Sequence, residues 1–312
     1  MKTNQTPSRL KTALLCLSII LAAPAGAEEV VPPAHYPSAD DAVDALIAAA
    51  VSDEPNALEA VLGSTVASLR SGDPIADSND RDAFAAAAAV AANIEDYGED
   101  AAILTLGEDN WPFPIPLVRD DEGWYFDTEA GAEEVLDRRI GRNELTTIAV
   151  LHELVDAQHE YGREDRNGDG VKEFAAKLRS ADGTRDGLYW PAAEGESESP
   201  MGRFVAEAVS EGYTPGSEDG PRPYHGYIYR MLGASGDEAP GGAREYSDAE
   251  GRWTGGFAAL AYPAEYGNSG IMTFIVDQRG LLFEKDLGAE TEEEAAAITA
   301  FDPDKSWYPV TD

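Results

Sequence analysis

Hydrophobic and polar positions change their period several times along the chain. After Ser38, apolar residues fall at helical spacing, with Ala42, Val43, Leu46, Ile47 and Ala50 on one stripe. Ser38 is placed to cap that helix, and Asp41 stands three positions on, as in a capping box. Leu58, Val61 and Leu62 predict a short helix over 56–62. Gly72-Asp73-Pro74 reads as a break, and the alanine-rich stretch 80–94 as a third helix. The period then drops to two. Strands are predicted over 101–106, over 113–119 with prolines interrupting it, and over 124–127, with a turn at 120–123. Residues 131–162 return to helical spacing, with a break expected at Gly141. A polar loop at 164–170, a short helix at 171–178, a loop-rich stretch at 180–200 and a short helix at 202–211 follow. Strands are predicted over 224–231, 257–262, 271–276 and 281–284, with a hairpin turn at Gln278-Arg279-Gly280, and a helix over 291–301 closes the chain. Helices and antiparallel strands in separate runs predict an α+β fold. Two domains are expected, 38–130 and 131–312, after a short proline-containing leader at 28–37.

The start of the chain has a different character. Lys2, Arg9 and Lys11 precede an apolar stretch from Ala13 to Ala23, and Ala25-Gly26-Ala27 forms a small-x-small pattern. This predicts a secretory signal peptide at 1–27, cleaved after Ala27, and a periplasmic or secreted product. The one cysteine, Cys16, lies inside the apolar stretch behind Leu14 and Leu15, where a lipoprotein signal has small residues. The mature chain then has no disulfide. No later segment is apolar for long enough to span a membrane. Asp plus Glu number 59 against 23 Lys plus Arg, a net charge of −36 that argues against nucleic-acid and anionic-membrane partners. The 43% of hydrophobic residues is enough for a packed core.

Three resemblances add to this reading. "SADDAVDALIAAA" followed by strands ending in "GWYFDT" resembles the cone-shaped α+β domains of the nuclear-transport-factor-2-like superfamily over 38–130. That likeness implies an apolar pocket between sheet and helices, with Phe84, Trp111, Trp124 and Phe126 as lining candidates; ordinary core aromatics are the alternative. "NELTTIAVLHELVDAQHEYG" is similar to the helix of type IV pilins and pseudopilins where it enters the head, matching at Asn143, Glu144, Ala157 and Tyr161. The later positions Gly226, Tyr227, Pro263, Gly267, Gly270, Phe274, Asp277 and Gly280 resemble the pilin head's sheet, although the apolar N-terminal helix that polymerises pilins is absent. The mature chain as a whole is identified as a member of an uncharacterised exported bacterial family, domain-of-unknown-function family 2950. Six segments carry this: "SGDPIAD", "WPFPIPLV", "IGRNEL", "DGLYWP", "PYHGYIYR" and "FDPDKSW". Membership brings no assigned activity.

Two stretches hold candidate chemistry. In "DRNGDG", Asp165, Asn167 and Asp169 have the spacing that curls oxygens around a hard cation, with Gly170 at the sharp turn. The Val171 carbonyl and Glu173 would complete a calcium site, but the twelfth position is Ala176 in place of a bidentate glutamate. The same residues also suit an Asx-rich turn. On the preceding helix, His152, Asp156 and His159 share one face at zinc-ligand spacing, with Glu153 and Glu160 beside them. No serine elbow, P-loop or dinucleotide fingerprint is present. The expected function is a non-enzymatic envelope protein with a binding or assembly role, stabilised by calcium, whose partner is an envelope protein or a small ligand. Two alternatives stay open: a metal-dependent hydrolase built on His152 and His159, and a small-molecule carrier with its pocket in the N-terminal domain.

Overall fold

The computed structural model describes residues 30–193, 195–214 and 222–311. The proposed signal peptide at 1–27 lies outside them. Ser38 caps helix α1 (Ala39–Ala50) by accepting the Asp41 amide at 3.1 Å, and the predicted stripe, except the half-buried Ile47, is buried. Helix α2 (Ala57–Leu62) and a 3-10 turn (Ser64–Leu69) follow. Helix α3 (Pro74–Val90) begins earlier than expected, because Asp73-Pro74 is its start and not only a break. The Asp73 carboxylate accepts the Ile75 and Ala76 amides at 3.0 and 3.1 Å, and Pro74 occupies a first-turn position that needs no N–H. The predicted end of that helix, 91–94, is instead extended and leads into strand β1 (Ala92–Asp96), paired antiparallel with β2 (Ala101–Leu106). The strand expected over 113–119 is confined to its last three residues, after Pro114 and Pro116, and a separate two-residue strand precedes it. β3 (Trp111–Pro112) and β4 (Leu117–Arg119) pair with opposite ends of β2, and β5 (Trp124–Phe126) pairs with β4. Leu46, Leu104, Leu106, Leu117 and Phe126 form the centre of this first core.

Helix α4 (Thr128–Tyr161) is unbroken for 34 residues, about 51 Å at 1.5 Å per residue. Gly141 does not interrupt it; a methyl group there would touch nothing within 4 Å. Gly131 has a packing role, since a Cβ would lie 2.7 Å from the Ile115 Cα. The boundary expected after residue 130 falls inside α4, and Val31–Asp312 forms one compact unit. The second half of α4 lays Leu151, Leu154 and Tyr161 against Tyr227, Phe257 and Phe274 in a second core. No helix among the described residues is long and apolar enough to cross a membrane.

The helix expected over 171–178 is extended. Gln158, fully buried on α4, grips the Ala175 peptide from both sides, donating to its carbonyl at 2.7 Å and accepting its amide at 2.9 Å. Strand β6 (Lys177–Arg179) pairs in parallel with β7 (Gly187–Tyr189), and helix α5 (Gly202–Ser210) follows. The second large sheet contains β8 (Tyr227–Leu232), β11 (Ala258–Pro263), β12 (Met272–Asp277), β13 (Leu282–Asp286) and β14 (Tyr308–Pro309), in the order β14-β13-β12-β11-β8 and antiparallel throughout. A short ribbon, β9 (Ala234–Ser235) with β10 (Arg244–Glu245), lies between β8 and β11 in sequence. Helix α6 (Thr291–Ala297) stops before the expected 301, because Phe301 is buried in extended backbone beside Ser235 and Pro303 follows it closely. Helices and antiparallel sheets in sequential blocks make this an α+β fold.

Candidate ligand-binding site

Alanine content makes α3 a thin cover. None of its residues is fully buried, and a cavity of about 520 Å³ lies between it and α1, α2 and the first sheet. Leu46 and Leu62 form part of the floor, and Phe84 and Phe113 (ring centroids 5.4 Å apart) a wall. Trp111, 45% exposed, stands at the edge, with the Arg138 guanidinium 4.9 Å above its ring. A sealed void of this size would cost ~12 kcal/mol at ~24 cal/mol per Å³, as much as a domain's whole net stability. The space instead opens to solvent on one side, and its volume is in the range of small-molecule pockets, ~300–1,000 Å³. Two of the four expected aromatics, Phe84 and Trp111, line it. Phe126 is fully buried in the core, and Trp124 pairs with Tyr36 and lies under Arg119.

One side of the cavity is charged. Arg81, Arg138, Arg139 and Arg142 line it with only Asp77 and Asp80, in a chain whose acids outnumber its bases 59 to 23. Asp80, Arg139 and Arg142 also line a polar cleft of about 180 Å³ next to it, so the two spaces share a wall. Ser71, Asp73, Asn79, Asn143 and His225 contribute the rest of the cleft's polar lining, with Thr146. Asn143 donates to the Ser269 carbonyl at 2.9 Å, and Glu144 accepts the Ile271 and Met272 amides, both at 3.0 Å. These bonds fix the arginine-bearing turn of α4 to the second sheet. His225 takes a left-handed backbone (φ 45°) and hydrogen-bonds the Glu211 carboxylate at 3.0 Å. Tyr213 donates to Asp73 at 2.8 Å; burial, then that carboxylate, pushes its phenol well above the ordinary range.

Arg139 is buried without a carboxylate in hydrogen-bond contact. It is only 7% exposed, and its guanidinium donates to the Leu69 and Arg70 carbonyls and to the Asn268 side-chain oxygen, all neutral acceptors. No carboxylate among the described residues comes within ion-pairing distance. Desolvation lowers its pKa, partly opposed by the more distant Asp77 and Asp80. Arg142, by contrast, is exposed and pairs with Asp80 at 2.7 Å.

The structure gathers the predicted calcium ligands in one loop but occupies them locally. Asp165 accepts the Gly168 and Gly170 amides at 2.7 and 2.8 Å, Asn167 and Asp169 accept the Asp169 and Val171 amides, and the Asn167 amide donates to Glu173 at 2.6 Å. The Gly170 amide, acting against desolvation, and then the Gly168 amide hold Asp165 below the usual carboxylate range. Burial and then Asp169 push Glu173 up, while Arg252 stands 3.6 Å from Asp169. On α4, His152, Glu153, Asp156 and Glu160 are exposed. His159 is held by the Gln278 carbonyl at 2.8 Å and packs against Phe257, so its Nε2 donates. No set of three or more His, Cys, Asp or Glu among the described residues is arranged to hold a metal ion.

The model of a family described as "Protein of unknown function (DUF2950)" matches residues 34–310. The chain belongs to that family. No curated protein matches it, and no solved structure does, so the likenesses to pilin heads and to transport-factor-2 domains rest on sequence alone. Three segments quoted for the DUF2950 resemblance meet at the polar cleft: "SGDPIAD" brings Ser71 and Asp73, "IGRNEL" Arg142 and Asn143, and "PYHGYIYR" His225 and Gly226.

Proposed function

We propose that this chain is an exported, non-enzymatic binding protein that carries an apolar small molecule in the cavity beneath α3. One observation carries the reading: an open cavity of about 520 Å³, walled by Leu46, Leu62, Phe84 and Phe113, beside the first core. A binding role also suits the exposed Trp111 at the edge, a flat apolar surface a ligand would cover. The hydrolase alternative draws less support, since His152 and Asp156 face solvent and His159 is engaged by a backbone carbonyl. Fluorescence of neutral N-phenyl-1-naphthylamine tests the proposal. The mature protein should enhance it saturably at one site, and Ala87→Phe, which puts a ring into the cavity, should abolish the effect while circular dichroism stays unchanged. No enhancement by the wild type, or equal enhancement by the variant, would sink the reading.

A second reading, calcium at the 165–173 loop, draws on the crowding of Asp169, Glu173 and Asp248 around one arginine. Like charges at close range favour a further cation.

A further inference from the structure

Building on the proposed apolar cavity, we infer that its ligand is a single-chain amphiphile with an anionic head: the tail lies beneath α3, and the head enters the shared wall to meet Arg139 and Arg142. The first support is Arg139. Buried charges in folded proteins are paired, because a lone ion loses its hydration without compensation. Arg139 is more than nine-tenths buried, its partners are all neutral, and it faces both cavities. A guanidinium has five N–H donors, and only three hydrogen bonds to protein are made, so a planar acid finds donors available.

The second support is the arrangement of the two spaces. An apolar chamber adjoins a polar one, and the residues common to both are Asp80, Arg139 and Arg142. A molecule lying across that wall has an apolar end and a polar end by necessity. The sign of the polar end follows from the groups that remain available. Asp73 is occupied by the Ile75 and Ala76 amides and by Tyr213, and Asp77 by the Ser71 amide. Asp80 is paired with Arg142 on the exposed side, where an incoming carboxylate would share or replace it. The volume accommodates such a tail: at the ~30 Å³ that a water-sized group claims, 520 Å³ holds a chain of roughly a dozen methylenes with room to spare.

Calorimetric titration of the mature protein at pH 8 with dodecanoate, dodecanol and dodecylammonium, each below its aggregation limit, separates the possibilities. The inference expects dodecanoate to bind at least tenfold tighter than dodecanol, and dodecylammonium weakest. Shortening the acid by one methylene should weaken it by about fourfold. Arg142→Gln should weaken dodecanoate binding several-fold more than dodecanol binding and so reduce the preference for acid over alcohol. Arg139→Gln should remove the preference; Arg139→Lys, which keeps the charge, should retain part of it and controls for a folding defect. If acid, alcohol and amine bind wild type equally, the cavity reading stands and the head-group inference is wrong. If dodecylammonium binds best, the inference is likewise overturned. If none of the three binds, the cavity reading itself fails.

Discussion

Glu144→Ala tests whether the arginine cluster is held in place by the seam between α4 and the second sheet. One oxygen of Glu144 accepts two backbone amides, Ile271 and Met272, each at 3.0 Å. A hydrogen bond to a charged group contributes about 1.5–3 kcal/mol. The two bonds here converge on a single oxygen, and both donors are half-buried, so water replaces part of what is lost. The expected cost is therefore about 2–3 kcal/mol, below the sum of two full bonds. For a unit of this size that corresponds to a fall of roughly 3–5 °C in Tm. Glu144→Gln keeps an acceptor oxygen without its charge and should lose about half as much. Urea unfolding at constant slope reads both values. The seam also orients Arg142 and Asn143, immediately before Glu144 on the same helix, so the alanine variant should weaken dodecanoate binding as well. An alanine variant within about 0.5 kcal/mol of wild type would show that the seam is held by Leu151, Leu154 and the rest of the core, and that Glu144 is incidental.

Further outcomes follow from other parts of the molecule. Despite desolvation, which acts the other way, the Lys177 ammonium, the Thr184 hydroxyl and the Ala181 amide hold the Asp186 carboxyl down at about 2. Its folded pKa is below the unfolded value, so its contribution is present above about pH 4 and is lost as pH falls through about 2; Asp186→Asn should flatten the acid side of a stability–pH curve in that window, and an unchanged curve would contradict the assignment. If the 165–173 loop takes calcium, a hundredfold excess over Kd raises stability by about 2.7 kcal/mol, Asp165→Ala removes the gain, and identical wild-type melting in calcium and in chelator shows that the loop is only a turn. Mass spectrometry of the exported protein should find Glu28 at its N-terminus, and a lipid on Cys16 would contradict cleavage after Ala27.

Four strands of the second sheet, β8, β11, β12 and β13, were legible as short apolar runs between turn residues, and Gln278-Arg279-Gly280 turns where expected, with Gly280 at φ 75°; the two-residue edge strand β14 was not. Helix α1 was legible through its cap and stripe. The misreadings share a cause: a local pattern has two uses and tertiary contacts choose between them. Asp73 suits a turn and a helix cap alike; its capping role was legible, but α3 was expected to start at residue 80 and starts at Pro74. Ala175 and Leu178 lie at spacing that suits a helix, but Gln158, seventeen residues earlier than Ala175, grips that peptide in extended form. No break falls at the boundary expected after residue 130, because the continuous helix α4 runs through it, with Val135 at the first core and Leu151 in the second. Within the site, Phe84 and Trp111 were reached only through the resemblance to transport-factor-2-like domains, which named them with Trp124 and Phe126 as lining candidates. Arg139 was missed, since nothing local distinguishes a buried arginine from an exposed one. A signal was present: Arg138-Arg139 is the one adjacent basic pair in an acidic chain, and Arg142 follows one turn later.

A crystal structure of the mature protein with 12-bromododecanoate locates the tail itself, because bromine is identified by its anomalous scattering. One bromine peak is expected beneath α3, among Leu46, Leu62 and Phe84, with the carboxylate at Arg139 and Arg142. A bromine at the outer surface, or a cavity holding only water at saturating ligand, would contradict that placement.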